Sequence, residues 1–184
     1  MNERPQIHPA QGRLGILLPG FGAVATTFVA GVEVIRKGLS KPFGSVTQMQ
    51  TIRIGKRTEG RTPLVKDFID LADLDNLVFG AWDPIPDDGF VSATKAGVLD
   101  RDQLEPVKDF LSGIKPMPAA FDPANVKKHV GPNVKNTANN REHAEEIRTD
   151  IRRYKEENGC YRLVMVCCGS TEVFLRPGPA HESL

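Results

Sequence analysis

The spacing of apolar and polar positions changes several times along the chain, and each change marks an element. Ile16, Leu17 and Leu18 form a short continuous apolar run that predicts a buried strand over 14–19. Val24, Phe28, Val32, Ile35 and Leu39 then recur at helical spacing and predict a helix over 22–38. The run "MQTIRIG" reads as a second strand, 48–54, and further strands are predicted at 77–81 and 161–168. Helices are predicted at 63–72, 101–112 and 140–157. The last is the clearest, with Ala144, Ile147, Ile151 and Tyr154 in one apolar stripe. Its acids Glu142, Glu145 and Glu146 come early and its bases Arg152, Arg153 and Lys155 late, as the helix dipole favours, and Asn158-Gly159 supplies the stop. The charges of this helix read as a solvated face. The run "YRLVMVCCGS" that follows is apolar without alternation, as in a strand covered on both faces. Strands alternating with helices predict an α/β fold: a Rossmann-like, doubly wound, mostly parallel sheet.

The join between the first strand and helix carries the first candidate chemistry. Gly20, Phe21, Gly22, Ala23, Val24, Ala25 and Thr26 contain the pattern G-x-G-x-x-A, the dinucleotide fingerprint with alanine in its third place. A strand turning sharply into a helix presents free N–H groups and the positive end of the helix dipole, which suit a phosphate. The acid that holds the adenosine ribose is expected about 20 residues further on, at the end of the second strand. After "MQTIRIG" come Lys56 and Arg57, with no acid until Glu59. By pattern alone the basic pair suits a 2′-phosphate and leans to NADP; it reads equally well as a solvated loop.

Composition narrows the field. The chain has 184 residues, enough for one domain with an adequate core. Lys and Arg number 24 against 23 Asp and Glu, a net charge of +1, which disfavours nonspecific nucleic-acid binding as the main role. No apolar run is long enough to span a bilayer and no signal peptide is evident, so no membrane role and a cytoplasmic location are expected. Cys160, Cys167 and Cys168 cannot all pair and read as reduced thiols, Cys160 as a strand-edge residue. His8, His129, His143 and His181 are scattered, and no metal site is expected. Residues 1–12 read as a loose arm. The stretch "PMPAAFDPANVKKHVGPNVKNTANN" reads as a long excursion between helices. The ending "STEVFLRPGPAHESL" carries no closing element: either the domain is small, or residues 13–184 are the N-terminal part of an incomplete dinucleotide-binding domain in a longer enzyme, and the second is expected.

Four blocks then carry a resemblance. "LPGFGAVATTFVAGV", "GSVTQMQTIRIGKRTEGRTPLVKDFIDLADLDNLVFGAWDP", "AGVLDRDQLEPVKDFLSGIKPMPAAFD" and "VMVCCGSTEVF", from about Leu14 to Phe174, resemble the bacterial form of the myo-inositol-phosphate synthase family, in family order and spacing. The resemblance implies an NAD-dependent isomerase that turns D-glucose 6-phosphate into 1D-myo-inositol 3-phosphate by oxidation, enolisation, intramolecular aldol closure and re-reduction. It implies a homo-oligomer, a tetramer, for the complete protein. It implies that Asp83, in the block Gly80-Ala81-Trp82-Asp83, holds the NAD ribose. A carboxylate there would repel a 2′-phosphate, so the expected cofactor becomes NAD rather than NADP. Asp83 would equally suit a turn before Pro84, and Trp82 reads as a packing anchor.

The resemblance further places Cys168, Gly169, Ser170 and Thr171 beside the dinucleotide. Cys167 and Cys168 point to opposite sides of a strand, so only one can face the crevice. Neither has a neighbouring histidine in the sequence to make it a nucleophile. The family's catalytic lysines match nothing in this chain, and Lys56, Lys66, Lys95 and Lys115 read as surface residues. Two other roles compete with the enzyme: a catalytically silent NAD-binding sensor or subunit, and an ordinary NAD(P) dehydrogenase.

Overall fold

The structure, a computed structural model, describes residues 11–121, 126, 130–169 and 178. Among the described residues four parallel strands form the sheet: β1 (Arg13–Pro19), β2 (Leu77–Asp83), β3 (Met117–Pro118) and β4 (Cys160–Met165). Their order is β3-β2-β1-β4. Seven α-helices accompany them in the described residues: α1 (Ala23–Arg36), α2 (Val46–Met49), α3 (Val65–Phe68), α4 (Gly89–Ala96), α5 (Arg101–Leu104), α6 (Lys108–Ser112) and α7 (Asn140–Glu157). Order 3-2-1-4 is the first part of the doubly wound plan, with the switch point between β1 and β4.

The two faces of the sheet are covered differently. Ile16 and Leu18 of β1 and Phe79 and Ala81 of β2 meet Ala25, Val29, Ala30 and Val32 of α1, with Ala93, Leu104, Val107 and Leu111 completing the core. Side chains one position along lie on the opposite face, beside α7. There the ring of Tyr154 fills the space above Gly80, where a Cβ would lie 2.6 Å from it, and a Cβ on Gly15 would collide with the Leu163 side chain. Trp82, also on this face, donates from Nε1 to Asp150 Oδ2 at 2.9 Å. Lys135 Nζ lies 2.9 Å from the same oxygen, and Arg153 donates to Oδ1 at 2.9 Å. Burying this aspartate is tolerable because three donors meet it.

Several expected elements take other forms. The expected second strand at 48–54 is not part of the sheet. Its start is the single-turn helix α2, and the rest pairs with its own neighbour through one antiparallel bridge, Thr51 to Leu64. The alternating Ile52 and Ile54 make extended backbone, but Ile52 N donates to Pro63 O at 2.9 Å and Ile54 N to Arg61 O at 2.9 Å, so a local ribbon takes up its donors. The expected helix at 63–72 shrinks to α3, with no buried residue to hold a longer one. The helix at 101–112 breaks into α5, a 3₁₀ turn (Glu105–Val107) and α6, because Pro106 removes a helical donor. Helix α4 and the two-residue β3 were not expected. The charges of α7 are not all solvated: Asp150 is 3% exposed. Cys160, read as a strand-edge residue, is buried beside Gly15.

Replacing Asp150 by alanine strands Lys135 in a site where its side chain is 8% exposed, with only Glu146 at 3.3 Å to answer it. The expected loss is about 3–5 kcal/mol of unfolding free energy. Urea titration followed by the fluorescence of Trp82, the sole tryptophan, measures it.

Candidate dinucleotide-binding site

The site is built at the carboxyl ends of β1, β2 and β4. Gly20 has φ +85, and a Cβ there would lie 2.8 Å from the Gly169 nitrogen, so glycine is required both for the turn and for the close approach of the chain after β4. That chain is tied down by Val166 N donating to Leu17 O (2.9 Å) and Cys168 N to Pro19 O (2.8 Å). Gly20 N donates to Trp82 O at 2.9 Å.

Phe21 fixes the turn from behind. Its ring is 1% exposed and meets Gly89 at the start of α4, a burial of about 1.5–3 kcal/mol. Its carbonyl accepts from Ser92 Oγ. Gly22 is the N-cap of α1, with no side-chain cap, no acid in the first turn, and nothing within 4 Å of where its Cβ would stand. The first helical bond runs from Thr26 N to Gly22 O (3.0 Å), so the amides ahead of it point out of the helix end. The fingerprint residues thus divide. Gly22, Ala23 and Val24 are exposed at the helix mouth. Phe21, Ala25 and Thr26 face the core, and Thr26 Oγ1 donates back to Gly22 O at 2.9 Å.

Asp83 ends β2. Because 48–54 lies outside the sheet, β2 is the second strand, and residues 37–76 intervene between it and α1. The acid missing at its usual spacing therefore has a counterpart at the usual place in the fold. The half-buried Asp83 accepts from Phe21 N through Oδ2 (2.7 Å) and from Ile85 N through Oδ1 (2.9 Å). A carboxylate has about four lone-pair sites, so two amides leave capacity for further donors.

Cys168 packs against the core cluster, while Cys167 is exposed. Burial raises the Cys168 thiol above its ordinary value, and Cys167 beside it adds to the rise. Burial likewise raises Cys160, against the lowering effect of Arg13 and Lys155. Neither thiol is activated at neutral pH. Ser170 and Thr171 lie outside the described residues. Lys56 and Arg57 sit on the exposed ribbon between α2 and α3.

Three residues near Asp83 escaped the sequence reading. Asn133 donates from Nδ2 to Asp83 O at 2.8 Å, and Lys135 and Asp150 form the buried pair behind Trp82. The signal for Asp150 was its place on the apolar stripe, between Ile147 and Tyr154; Asn133 gave none. A cavity of about 200 Å³ lies at the other end of the strands, beside Leu14, Leu71 and Tyr161. Open α/β sheets bind ligands at the carboxyl ends, so it stands apart from this site. Among the described residues no group of three or more His, Cys, Asp or Glu could hold a metal ion, and no helix is long and apolar enough to cross a membrane.

Strand order, glycine turn and uncapped α1 together define a Rossmann-like dinucleotide-binding domain. The family model described as myo-inositol-1-phosphate synthase, an NAD-binding one, matches residues 14–184. The chain belongs to the myo-inositol-1-phosphate synthase family, and the region it matches is that family's NAD-binding domain. It is 44% identical over 182 residues to inositol-3-phosphate synthase 1 of Bacteroides thetaiotaomicron, covering 98% of this chain and 42% of that protein. It is 29% identical to inositol-3-phosphate synthase 1 of Oryza sativa, covering 87% of this chain and 34% of that one. The crystal structure of inositol-3-phosphate synthase from Caenorhabditis elegans superposes with a TM-score of 0.80 at 23% identity, over 94% of this chain and 37% of that chain. The chain thus spans less than half the length of these relatives.

Alkylation at pH 7 should label Cys167 before Cys168 and Cys160. As pH rises through the ordinary thiol range, Cys168 should stay protonated longer than a free thiol, so its contribution to stability declines only on the alkaline side. Peptide mapping of time-limited labelling checks the order.

Proposed function

We propose that this chain supplies the NAD-holding part of an inositol-3-phosphate synthase, an enzyme that converts D-glucose 6-phosphate to 1D-myo-inositol 3-phosphate. The observation that carries the reading is the convergence of the open Gly22, the free amides of α1 and the Asp83 carboxylate at one end of the sheet, in a chain of this family. The space left open beside Gly22 would admit a pyrophosphate, which would be met by the amides of Ala23, Val24 and Ala25. Gly20, Phe21 and Thr26 shape that turn. Asp83 would accept the ribose hydroxyls with its remaining lone pairs and repel a 2′-phosphate. Cys168 and Gly169 would border the dinucleotide on the β4 side through backbone rather than through thiol chemistry, and Ser170 and Thr171 are assigned to the dinucleotide on the family resemblance alone.

NAD⁺ when bound supplies a hydride acceptor that can later return the hydride, so that the sugar is isomerised without net redox change. In this reading residues 13–184 are the N-terminal part of the NAD-binding domain and residues 1–12 an arm ahead of it. The cations that grip the sugar phosphate and stabilise an enolate belong to the remainder of a longer, cytoplasmic, homotetrameric protein.

Three outcomes are expected. Gly22→Val lowers NAD affinity about tenfold or more, roughly 1.4 kcal/mol, with the fold intact because its Cβ meets nothing. Wild-type protein binds NAD more tightly than NADP, and Asp83→Ala weakens NAD by about 1.5–3 kcal/mol while narrowing that preference. Isothermal calorimetry with both dinucleotides reads each; equal affinity for NAD and NADP in the wild type would remove Asp83 from the ribose. The 184-residue chain alone, given glucose 6-phosphate and NAD⁺, yields no inositol phosphate by mass-resolved chromatography.

A further inference from the structure

The stretch from Gly131 to Lys135 crosses the carboxyl ends of β2 and β3 as a strap. Its backbone is tied at Asn133 and Lys135, with Val134 bridged in parallel to Ala119. Asn133 N donates to Pro84 O (2.9 Å), Ala119 N donates to Asn133 O (2.9 Å), and Lys135 N donates to Ala119 O (2.8 Å). At one end Gly131 presses so closely on Pro84 that an added Cβ would collide with the Pro84 carbonyl. At the other end Lys135 Nζ pairs with Asp150, which also holds the indole of Trp82. The strap therefore grips both neighbours of Asp83: Pro84 directly and Trp82 through α7.

Asn133 lies at the middle and reaches Asp83 itself. Its Nδ2 donates to Asp83 O at 2.8 Å and lies 3.3 Å from Met117 O and 3.4 Å from Pro116 O. β2 and β3 pair for only two residues, Trp82 with Met117 and Asp83 with Pro118, so their ladder ends at Asp83. One side-chain amide takes over from the ladder at that point. The carboxylate of Asp83 is held separately, by Phe21 N and Ile85 N. With its carbonyl, its carboxylate and both neighbours restrained, Asp83 has little freedom to follow or avoid a ligand.

We propose that Asn133 is a positioning residue that sets nucleotide selectivity through Asp83. It rests on the assignment of Asp83 to the ribose. Asn133 anchors the main chain of Asp83 so that the carboxylate stays where it favours two hydroxyls and disfavours a 2′-phosphate. Without the anchor the carboxylate can swing away from a 2′-phosphate, so selectivity falls along with affinity. A merely structural residue would lower the affinity for both dinucleotides alike.

The experiment is calorimetric titration of the full chain with NAD and with NADP, for wild type, Asn133→Ala, Asp83→Ala and the double variant, with thermal melting as the check of folding. Asn133→Ala is expected to weaken NAD about five- to tenfold and to narrow the NAD-over-NADP ratio. The double variant is expected to bind NAD within about twofold of Asp83→Ala alone, because Asn133 acts through Asp83. Asn133→Ser, with a shorter donor, stands in if the alanine variant does not fold. An unchanged ratio in a folded Asn133 variant, losses that multiply in the double variant, or failure of both Asn133 variants to fold would each overturn the proposal. If Asp83→Ala itself leaves NAD affinity and the ratio at wild-type values, the ribose assignment falls, and the proposal with it. A change in Asp83→Ala with none in Asn133→Ala overturns the proposal alone.

Discussion

The Asp83 carboxylate accepts one main-chain N–H from the β1–α1 turn and one from its own loop, and the carboxyl end of the sheet is organised around that pair of bonds. Hydrogen bonds to an ionised acceptor are shorter and roughly twice as strong as neutral ones. The bond to Phe21 N, at 2.7 Å, joins residues far apart in sequence. It keeps the glycine turn from drifting relative to β2, and the burial of the Phe21 ring against the start of α4 keeps it from tilting. The turn can then leave its exposed side to small residues. Gly22 presents no side chain, and α1 begins without the cap that Asp88 gives α4 or Asn139 gives α7. An uncapped start costs stability unless something else satisfies the amides, which is the physical sense in which this helix end suits an anion.

The two layers beside the sheet do different work. The α1, α4 and α6 side is an apolar core, closed at its far end by Arg36, whose guanidinium lies over the rings of Phe79 and Phe110 and donates to Leu74 O and Leu77 O. The α7 side is one helix deep and uses a buried charge cluster where the other side uses aliphatic packing. Such clusters add little net stability over apolar packing but are exacting about geometry. Here the geometry they govern is that of Trp82, one residue before Asp83. Along β4, Val164 and Met165 remain largely exposed, as does Val166 just beyond it.

The segment between α1 and β2 obeys neither layer. Helices α2 and α3 have no buried residue, and Phe43, Val46 and Phe68 are exposed. It is held mainly by its own ribbon of backbone bonds. This insertion pushes Asp83 far along the chain from the glycine turn without moving it in space.

That displacement separates what the sequence determined from what tertiary structure decided. Apolar runs and helical periodicity were enough to place β1, α1, β2, α7 and β4, because each carries a local pattern long enough to read, but the cover on both faces expected for β4 is not met among the described residues, where most of the strand is exposed. Family blocks singled out Asp83 as well. Spacing misled where pairing partners decide the outcome: "MQTIRIG" has the composition of a strand, but a strand exists only against a neighbour, and its neighbour was the adjacent chain rather than β1. A two-residue strand such as β3 has too few positions to show a period. Asp150 looked like any surface acid because charge is visible in a sequence and burial is not. Asn133 was invisible for the same kind of reason: its amide matters only because folding brings the carbonyls of Asp83, Pro116 and Met117 to one point, and no local pattern encodes that meeting.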